Sequence, residues 1–576
     1  MLKTLFLSAI LALAAPAGEI FSDANYSHLV SFLESYLNTS KKSPEAAKLL
    51  ESQKEDGTWA SIDYKNKLRG AWKTSKHMEN YRALAVAYHA TGDVKYLGAA
   101  RKALKYWYET MPTCPNWWYN QIGIPRAFGP ATLLIMKDLP QEDIDGAIKI
   151  LKLSRFGHYT GQNLLWQSEN IMMRAYLEKN ESLLMEARDS IDTVIRIEPE
   201  KEGIKPDWSF HQHGPQLQWG NYGGGFAGCM SWLVMLFDGT PLAFSESQRN
   251  IVTDYIRYGV TMPIWKGYYD MNACGRQITA GSQKTKARNA LASAHRIGVE
   301  PDEFTGGRYY PYSDFGIYKT DEFYASIRMQ SERTIGMEQT NKENMRGRFA
   351  ADGALLVRRE GDEYKDVAAA WNWHHVPGVT CFDDGKEIFG WKVPKDKIYN
   401  RSGNVGGEVD GEYMTVHMEL VREGLTAHKA WFFFPGGIVC LGSGISLDRD
   451  ERVVTGVEQC IIREDVVSKS KFIHHNGITY IPLGRTEFKV DPESHSGDWG
   501  AIHPAKKGKK STLNLLDVWI DHGVSPSDAG YAYAVIPNGL SGKDALKSVK
   551  KNIKILENTP ECQSVSINGK TLTVKW

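Results

Sequence analysis

The stretch Tyr81–Tyr108, YRALAVAYHATGDVKYLGAARKALKYWY, decides how the first half of the chain folds. Leu84, Tyr88, Leu97, Ala100, Leu104 and Trp107 recur at helical spacing, and the turn Thr91-Gly92-Asp93 interrupts them. Helix, tight turn, helix is an αα-hairpin. Outward from it, Ile144–Leu153, Leu164–Glu178, Ser182–Ile197 and Ser245–Tyr258 repeat the helical pattern. The reading predicts an array of αα-hairpins, of the kind that can close into a toroid whose helix ends and loops line a cleft.

Near residue 340 the pattern changes to β. Tyr413–Val421 alternates, with Met414, Val416, Met418 and Leu420 on one face. Lys429–Phe434 and Ile438–Leu441 flank a turn at Pro435-Gly436-Gly437, and Val453–Ile462, Gly477–Ile481 and Thr512–His522 also read as strands. Ser564–Lys575 reads as a last hairpin around Asn568-Gly569. The polar, Lys-rich segment Ser494–Lys510 reads as a loop between sheets. The expected class is therefore α+β and multidomain, helices first and packed antiparallel sheets after. The expected limits are a leader at 1–17, a helical domain at 18–335, a β-sandwich at 336–510 and remaining strands at 511–576.

The 576 residues are too many for one ordinary core, which agrees with two or three domains. With 42% hydrophobic and 24% charged residues the chain is globular. A formal charge of +1 without a long basic run excludes a nucleic-acid footprint, so an acidic ligand needs a local basic site. Lys3, the apolar run Leu5–Ala15 and Ala15-Pro16-Ala17 form a signal-peptide pattern, too short to span a bilayer. Export to periplasm or medium is expected. The seven cysteines form no CxxC pair, so neither a zinc signature nor a disulfide framework is read; buried free thiols are favoured.

Five stretches carry candidate chemistry. In Asn116–Arg126 the adjacent Trp117 and Trp118 can offer a platform for successive sugars, although paired core tryptophans are the plain alternative. In Thr160-Gly161-Gln162-Asn163 the Asn163 amide can face a carboxylate or simply cap a helix. Asp207–Gly225 mixes polar, aromatic and glycine residues in a way that suits an irregular site loop, with His211, His213 and Tyr222 inside it. Its His-x-His is a weak metal signal without further ligands. The last two are Asn272–Arg276 and Asn341-Lys342-Glu343-Asn344; taken singly, Arg276 and Glu343 are ordinary charges.

Together these segments resemble polysaccharide lyase family eight, the hyaluronate, chondroitin AC and xanthan lyases. The motifs run in order: NWW…IGIPRA, TGQN, SFHQHGPQLQ…NYG, Gly275-Arg276, NKENMRGRFAADGA, WNWHHVPGVT, WFFFPGGIVCLGSGI and DHGVSPSDAGYAYAVIPN. QHGPQLQ and NKEN look closest to the chondroitin AC branch. The resemblance spans roughly residues 80–560 and implies an incomplete α/α toroid followed by antiparallel β-sandwich domains.

The resemblance also implies β-elimination at a uronate in an acidic polysaccharide, chondroitin sulfate or hyaluronan first, xanthan or another uronate polymer as the alternative. Asn163 would bind the uronate carboxylate and favour its enolate-like form. His213 and Tyr222 would divide the base and acid roles, in a way the motifs leave open. Arg276 would lower the Tyr222 pKa, and Glu343 would orient Arg276 or His213. Trp117 and Trp118 would stack on sugars, with Asn116 and Arg126 counted as substrate-binding. No cofactor is required and no catalytic metal is expected. A structural calcium is compatible with the resemblance, though no recognised calcium loop is present. A monomer acting on a polysaccharide, without nucleic acid or membrane as partner, is expected.

Two departures stand out. Tyr119-Asn120-Gln121 occupies a place where relatives often carry acidic residues, and Ala280 stands where chondroitin-type relatives often have a second arginine. The chain also ends soon after its last hairpin, so the final β domain is expected to be reduced. Other classes compatible with the scaffold are a glycoside hydrolase, which needs two carboxylates flanking the bond, and a non-catalytic glycan-binding protein.

Overall fold

The computed structural model describes residues 20–39 and 44–576. The leader expected at 1–17 lies outside them. The described residues fall into two compact units. One comprises residues up to Arg196 with Phe226–Thr253 and Arg296–Gly298; the other comprises Ile197–Gly225, Asp254–His295 and Val299–Trp576. The expected order, helices and then antiparallel sheets, is the one found.

The first unit is helical. Its hairpin Lys76–Thr91 and Val94–Thr110 shows why the sequence signal is strong. Gly92 ends one helix at φ 69°, and the Asp93 carboxylate caps the next by accepting from Lys95 N at 2.9 Å. Leu84, Ala85, Ala100, Ala103, Leu104 and Trp107 are all buried. The small alanines let the paired helices approach while Leu and Trp supply the apolar area. Ile124–Leu134, Gln141–Leu151, Gly161–Glu178 and Glu181–Asp192 continue the array. Among the described residues no helix is long and apolar enough to cross a membrane.

The second unit is built on antiparallel sheets. An eight-stranded sheet runs in the order 405–410, 413–422, 425–434, 437–447, 529–536, 478–482, 472–475, 467–469. A second sheet joins 489–491, 510–524, 452–461 and 380–383, and 494–498 also pairs with 510–524. A four-stranded sheet covers Gly306–Tyr310, Phe315–Lys319, Tyr324–Arg328 and Ala354–Arg358.

Three expectations need correction. The larger sheets begin at Gly306, not near 336, and two short two-stranded pairs, Gly203–Ile204 with Phe210–His211 and Ile264–Trp265 with Tyr268–Tyr269, precede them. Strand Lys510–Val524 pairs with Arg452–Ile461, so residues 511–576 are not a region of their own. Ser494–Lys510 is not all loop, because Ser494–Asp498 is a strand; its residues are all polar or glycine, so it has no apolar alternation to betray it. The final hairpin is as expected, with Asn568 and Gly569 at φ 53° and 84°. All seven cysteines are free thiols, six of them buried.

Candidate active site

The second unit holds the His/Tyr segment. Strand Phe210–His211 pairs with Gly203–Ile204, and the chain then folds back so that Gln218 N donates to Phe210 O at 2.9 Å. His213 sits in this excursion at φ 64°, a left-handed conformation that a non-glycine residue adopts only when held there. Ile335 N, donating to Pro215 O at 2.8 Å, ties the excursion to the loop that carries Glu338 and Glu343.

Tyr222 lies on a five-residue π-helical turn, Trp219–Gly223. Such turns cluster at functional sites because the extra residue re-aims a side chain. Gly220 makes the turn fit. A Cβ there would stand 2.8 Å from Ala273 O and 2.9 Å from Cys274 Cα, so only glycine lets the turn lie against the segment leading to Arg276.

The structure brings His213, Tyr222, Arg276 and Glu343 together. The His213 and Tyr222 rings are 4.8 Å apart between centroids, and the Arg276 guanidinium carbon lies 5.7 Å from the Tyr222 ring centroid. Arg276 Nε donates to Glu343 Oε2 at 3.0 Å. The group that organises them is Glu338, which the sequence reading missed. His213 Nδ1 donates to Glu338 Oε2 at 2.8 Å, and Arg276 Nη1 donates to Glu338 Oε1. Gln218 Nε2 also donates to Oε1, at 3.2 Å, and the Thr340 hydroxyl to Oε2, at 2.8 Å. Glu343 therefore orients Arg276, while His213 is oriented by Glu338. Four residues separate Glu338 from Glu343, and no local pattern marks either as the pivot.

Burial raises the Glu338 pKa, but the His213 hydrogen bond and the Arg276 charge outweigh it and carry the carboxyl down to about 2. Burial also raises the Tyr222 pKa. Arg276 lowers it by charge and hydrogen bond, Glu338 and Glu343 raise it again, and the net shift is upward. Arg276 thus pulls the phenol down as expected, but burial, with Glu338 and Glu343 behind it, outweighs that pull, and the resting phenol keeps its proton. His211 does not join His213 as a ligand pair. It is buried, bonds Ser313 Oγ through Nε2 at 3.0 Å, and burial lowers its pKa to about 3.

The first unit holds the other candidates. Trp117 is 39% exposed and stacks on Tyr159, with centroids 5.1 Å apart. Trp118 is half-buried, edge-on to Trp166 at 5.6 Å, just before a second π-helical turn, Tyr119–Gly123. Asn116 spends its amide on backbone: Nδ2 donates to Arg69 O at 2.9 Å and Oδ1 accepts from Trp118 N at 3.2 Å. Arg126 is ion-paired with Glu169, so it is a matched charge. Where relatives often have acids, Asn120 brackets the Cys114 backbone at 2.9 Å on both sides, and Gln121 accepts from the Tyr159 hydroxyl and from Gln167. Asn163 is not a cap, because Thr160 occupies that position. Its amide oxygen is buried without a hydrogen-bond partner.

Among the described residues, His374, Asp383 and Asp384 have ligand atoms within 4.8 Å of one another. Calcium takes six to eight oxygen ligands. One imidazole and two carboxylates do not fit it, and this donor set suits metals that accept nitrogen.

"Polysaccharide lyase family 8, N terminal alpha-helical domain" matches residues 17–306, and "Polysaccharide lyase family 8, super-sandwich domain" matches 305–547. The chain belongs to polysaccharide lyase family 8. It is a carbon–oxygen lyase by that membership. It is 28% identical to chondroitinase-AC of Pedobacter heparinus, over 90% of this chain and 80% of that one. It is 23% identical to hyaluronate lyase of Thermasporomyces composti, over 86% and 75%. A solved structure of chondroitinase AC lyase superposes with a TM-score of 0.85 at 25% identity, covering 96% of this chain and 89% of that one. In this lyase one π-helical turn carries Tyr222 and another directly follows Trp118.

Proposed function

We propose that this lyase cleaves a uronate-containing glycosaminoglycan, chondroitin or hyaluronan, by β-elimination at the Tyr222 cluster. The observation that carries the reading is Glu338, whose two oxygens hold His213 and Arg276, both close to one phenol ring. The printed activities of the relatives, chondroitinase and hyaluronate lyase, support the substrate class.

In this reaction a base removes the C5 proton of the uronate, the electron pair forms the C4–C5 double bond, and O4 departs with a proton. His213 donates from Nδ1 to a carboxylate, so in its neutral form Nε2 presents a lone pair. That lone pair suits a base, or a group that takes the Tyr222 proton first. The protonated phenol suits delivery of a proton to O4. Asn163 takes the uronate carboxylate on the strength of the TGQN motif. Its orphaned amide oxygen supports this, because turning the amide over presents the NH2 as a donor. Trp117 offers an exposed face for sugar stacking, whereas Asn116 and Arg126 serve through the Trp118 turn and the Glu169 pair.

A hydrolytic reading gains a second carboxylate from Glu338, but both glutamates grip one guanidinium rather than flank a bond. Unsaturated product, followed by ultraviolet absorbance on chondroitin, hyaluronan and xanthan, tests the proposal. Cleavage without an absorbance rise overturns it. Export and a monomeric state belong to the same reading.

A further inference from the structure

After strand Ser494–Asp498 the chain makes two 3-10 turns, Trp499–Ala501 and Pro504–Lys506, before strand Lys510–Val524 begins. The segment is anchored from within. Trp499, Ala501 and Ile502 are buried. Asp498 accepts from Gly500 N at 2.6 Å and from Gly508 N at 3.0 Å, and Trp499 N donates to Lys509 O at 2.9 Å. Two more backbone bonds fix its place. Asn344 N donates to Ile502 O at 2.7 Å, and Met345 N donates to Ala501 O at 2.8 Å. Asn344 directly follows Glu343, which holds Arg276. The segment is thus fastened one residue from the Tyr222 cluster.

Its outer side is basic. Lys506, Lys507 and Lys509 are exposed, and among the described residues none of them is ion-paired. Lys510 faces Asp498 across the ladder and is not part of the group. His503 is half-buried, and its Nδ1 accepts from Ala505 N at 3.2 Å, so the neutral ring carries its proton on Nε2. Burial, then Lys506, then Arg276 lower the His503 pKa, which sets the ring within electrostatic reach of both the lysines and the site arginine.

A run of lysines is usually a solvated face. Here the backbone under it is pinned, the cations are unmatched although the whole chain is nearly neutral, and the pin is the loop of Glu343. Concentrating like charge costs self-repulsion, and a ligand of opposite charge relieves it. We propose that His503, Lys506, Lys507 and Lys509 form an anion subsite of the glycan path. It holds a sulfate ester or carboxylate on a sugar flanking the one that is cleaved. Lysine suits this role, being a mobile point charge that tolerates variation in where the anion sits. The inference rests on the polysaccharide lyase reading above.

The test uses the full chain, the exposed triple variant Lys506→Ala, Lys507→Ala, Lys509→Ala, and His503→Ala alone. KM and kcat are measured on sulfated chondroitin and on desulfated chondroitin at several salt concentrations. Retention in gels containing the same polymers is measured in parallel. The triple variant is expected to raise KM about tenfold with kcat nearly unchanged, as the loss of three exposed charge contacts implies. It should also flatten the salt dependence, with His503→Ala intermediate. A loss confined to the sulfated polymer identifies sulfate; an equal loss on both identifies the carboxylate. Unchanged KM, retention and salt dependence overturn the subsite. A parent that makes no unsaturated product, while the triple variant still loses retention, overturns the lyase reading and keeps the subsite.

Discussion

His213 Nδ1 and Glu338 Oε2 are 2.8 Å apart although 125 residues separate them in the chain. The contact puts the neutral ring's proton on Nδ1 and leaves Nε2 with a lone pair, in a ring 4.8 Å from that of Tyr222 between centroids. The same carboxylate reaches Arg276 through its other oxygen. One buried group therefore orients both partners of the phenol, as a carboxylate does for a catalytic histidine elsewhere.

Glu338→Gln keeps the shape but lets the tautomer and the guanidinium drift. We expect kcat to fall about 10²–10³-fold with KM little changed, read as the rate of unsaturated product. Wild-type rates in this variant remove Glu338 from the mechanism.

The same variant makes a prediction about acid stability. Glu338 is held at about 2 against an ordinary value of 4.5. A depressed carboxyl stabilises the fold fully above the higher value, and the contribution is lost as pH falls through the lower one. We expect a gap of about 3 kcal/mol between the parent and Glu338→Gln near neutrality. It should close between roughly pH 4.5 and 2, as followed by denaturant unfolding. A gap independent of pH contradicts the assignment.

Tyr222→Phe removes only the hydroxyl from a ring that is 8% exposed. Activity should drop at least about 10³-fold while glycan retention and Tm stay close to the parent. Retained turnover places the proton transfers elsewhere.

Trp117→Ala removes an exposed ring that already stacks on Tyr159. KM should rise about fivefold to twentyfold with kcat within about twofold, as expected for a lost stacking face. A change in kcat alone points away from substrate binding.

Gly220→Ala pushes a methyl group against the Ala273 carbonyl and the Cys274 backbone. The fold should survive with a loss of about 1–3 kcal/mol, while the displaced Tyr222 turn costs about 10²-fold in kcat. Circular dichroism together with the product assay separates the two effects.

Much of the fold was legible. The helices declared themselves because period, Gly92 and the Asp93 cap are local features that agree with one another. The Asn568-Gly569 hairpin was equally plain, since only a few residue types accept positive φ at both turn positions. Phe315–Lys319 and Tyr324–Arg328 escaped notice because they are buried on both faces and so do not alternate. In the site, His213, Tyr222, Arg276 and Glu343 were found through motifs, and the structure gathers them. Nothing in the sequence shows that the Asn116 amide bridges the Arg69 carbonyl and the Trp118 N–H.

The sequence by itself determined the helical array, the change to antiparallel strands and the segments from which a site is built. These depend on periodicity, caps and turn residues, whose physics acts over a few neighbours. Only the tertiary structure decided that Glu338 is the pivot and that burial, against the pull of Arg276, leaves the Tyr222 phenol protonated. Charge interactions and desolvation depend on distance through space and on burial, and a chain read in order contains neither until it is folded.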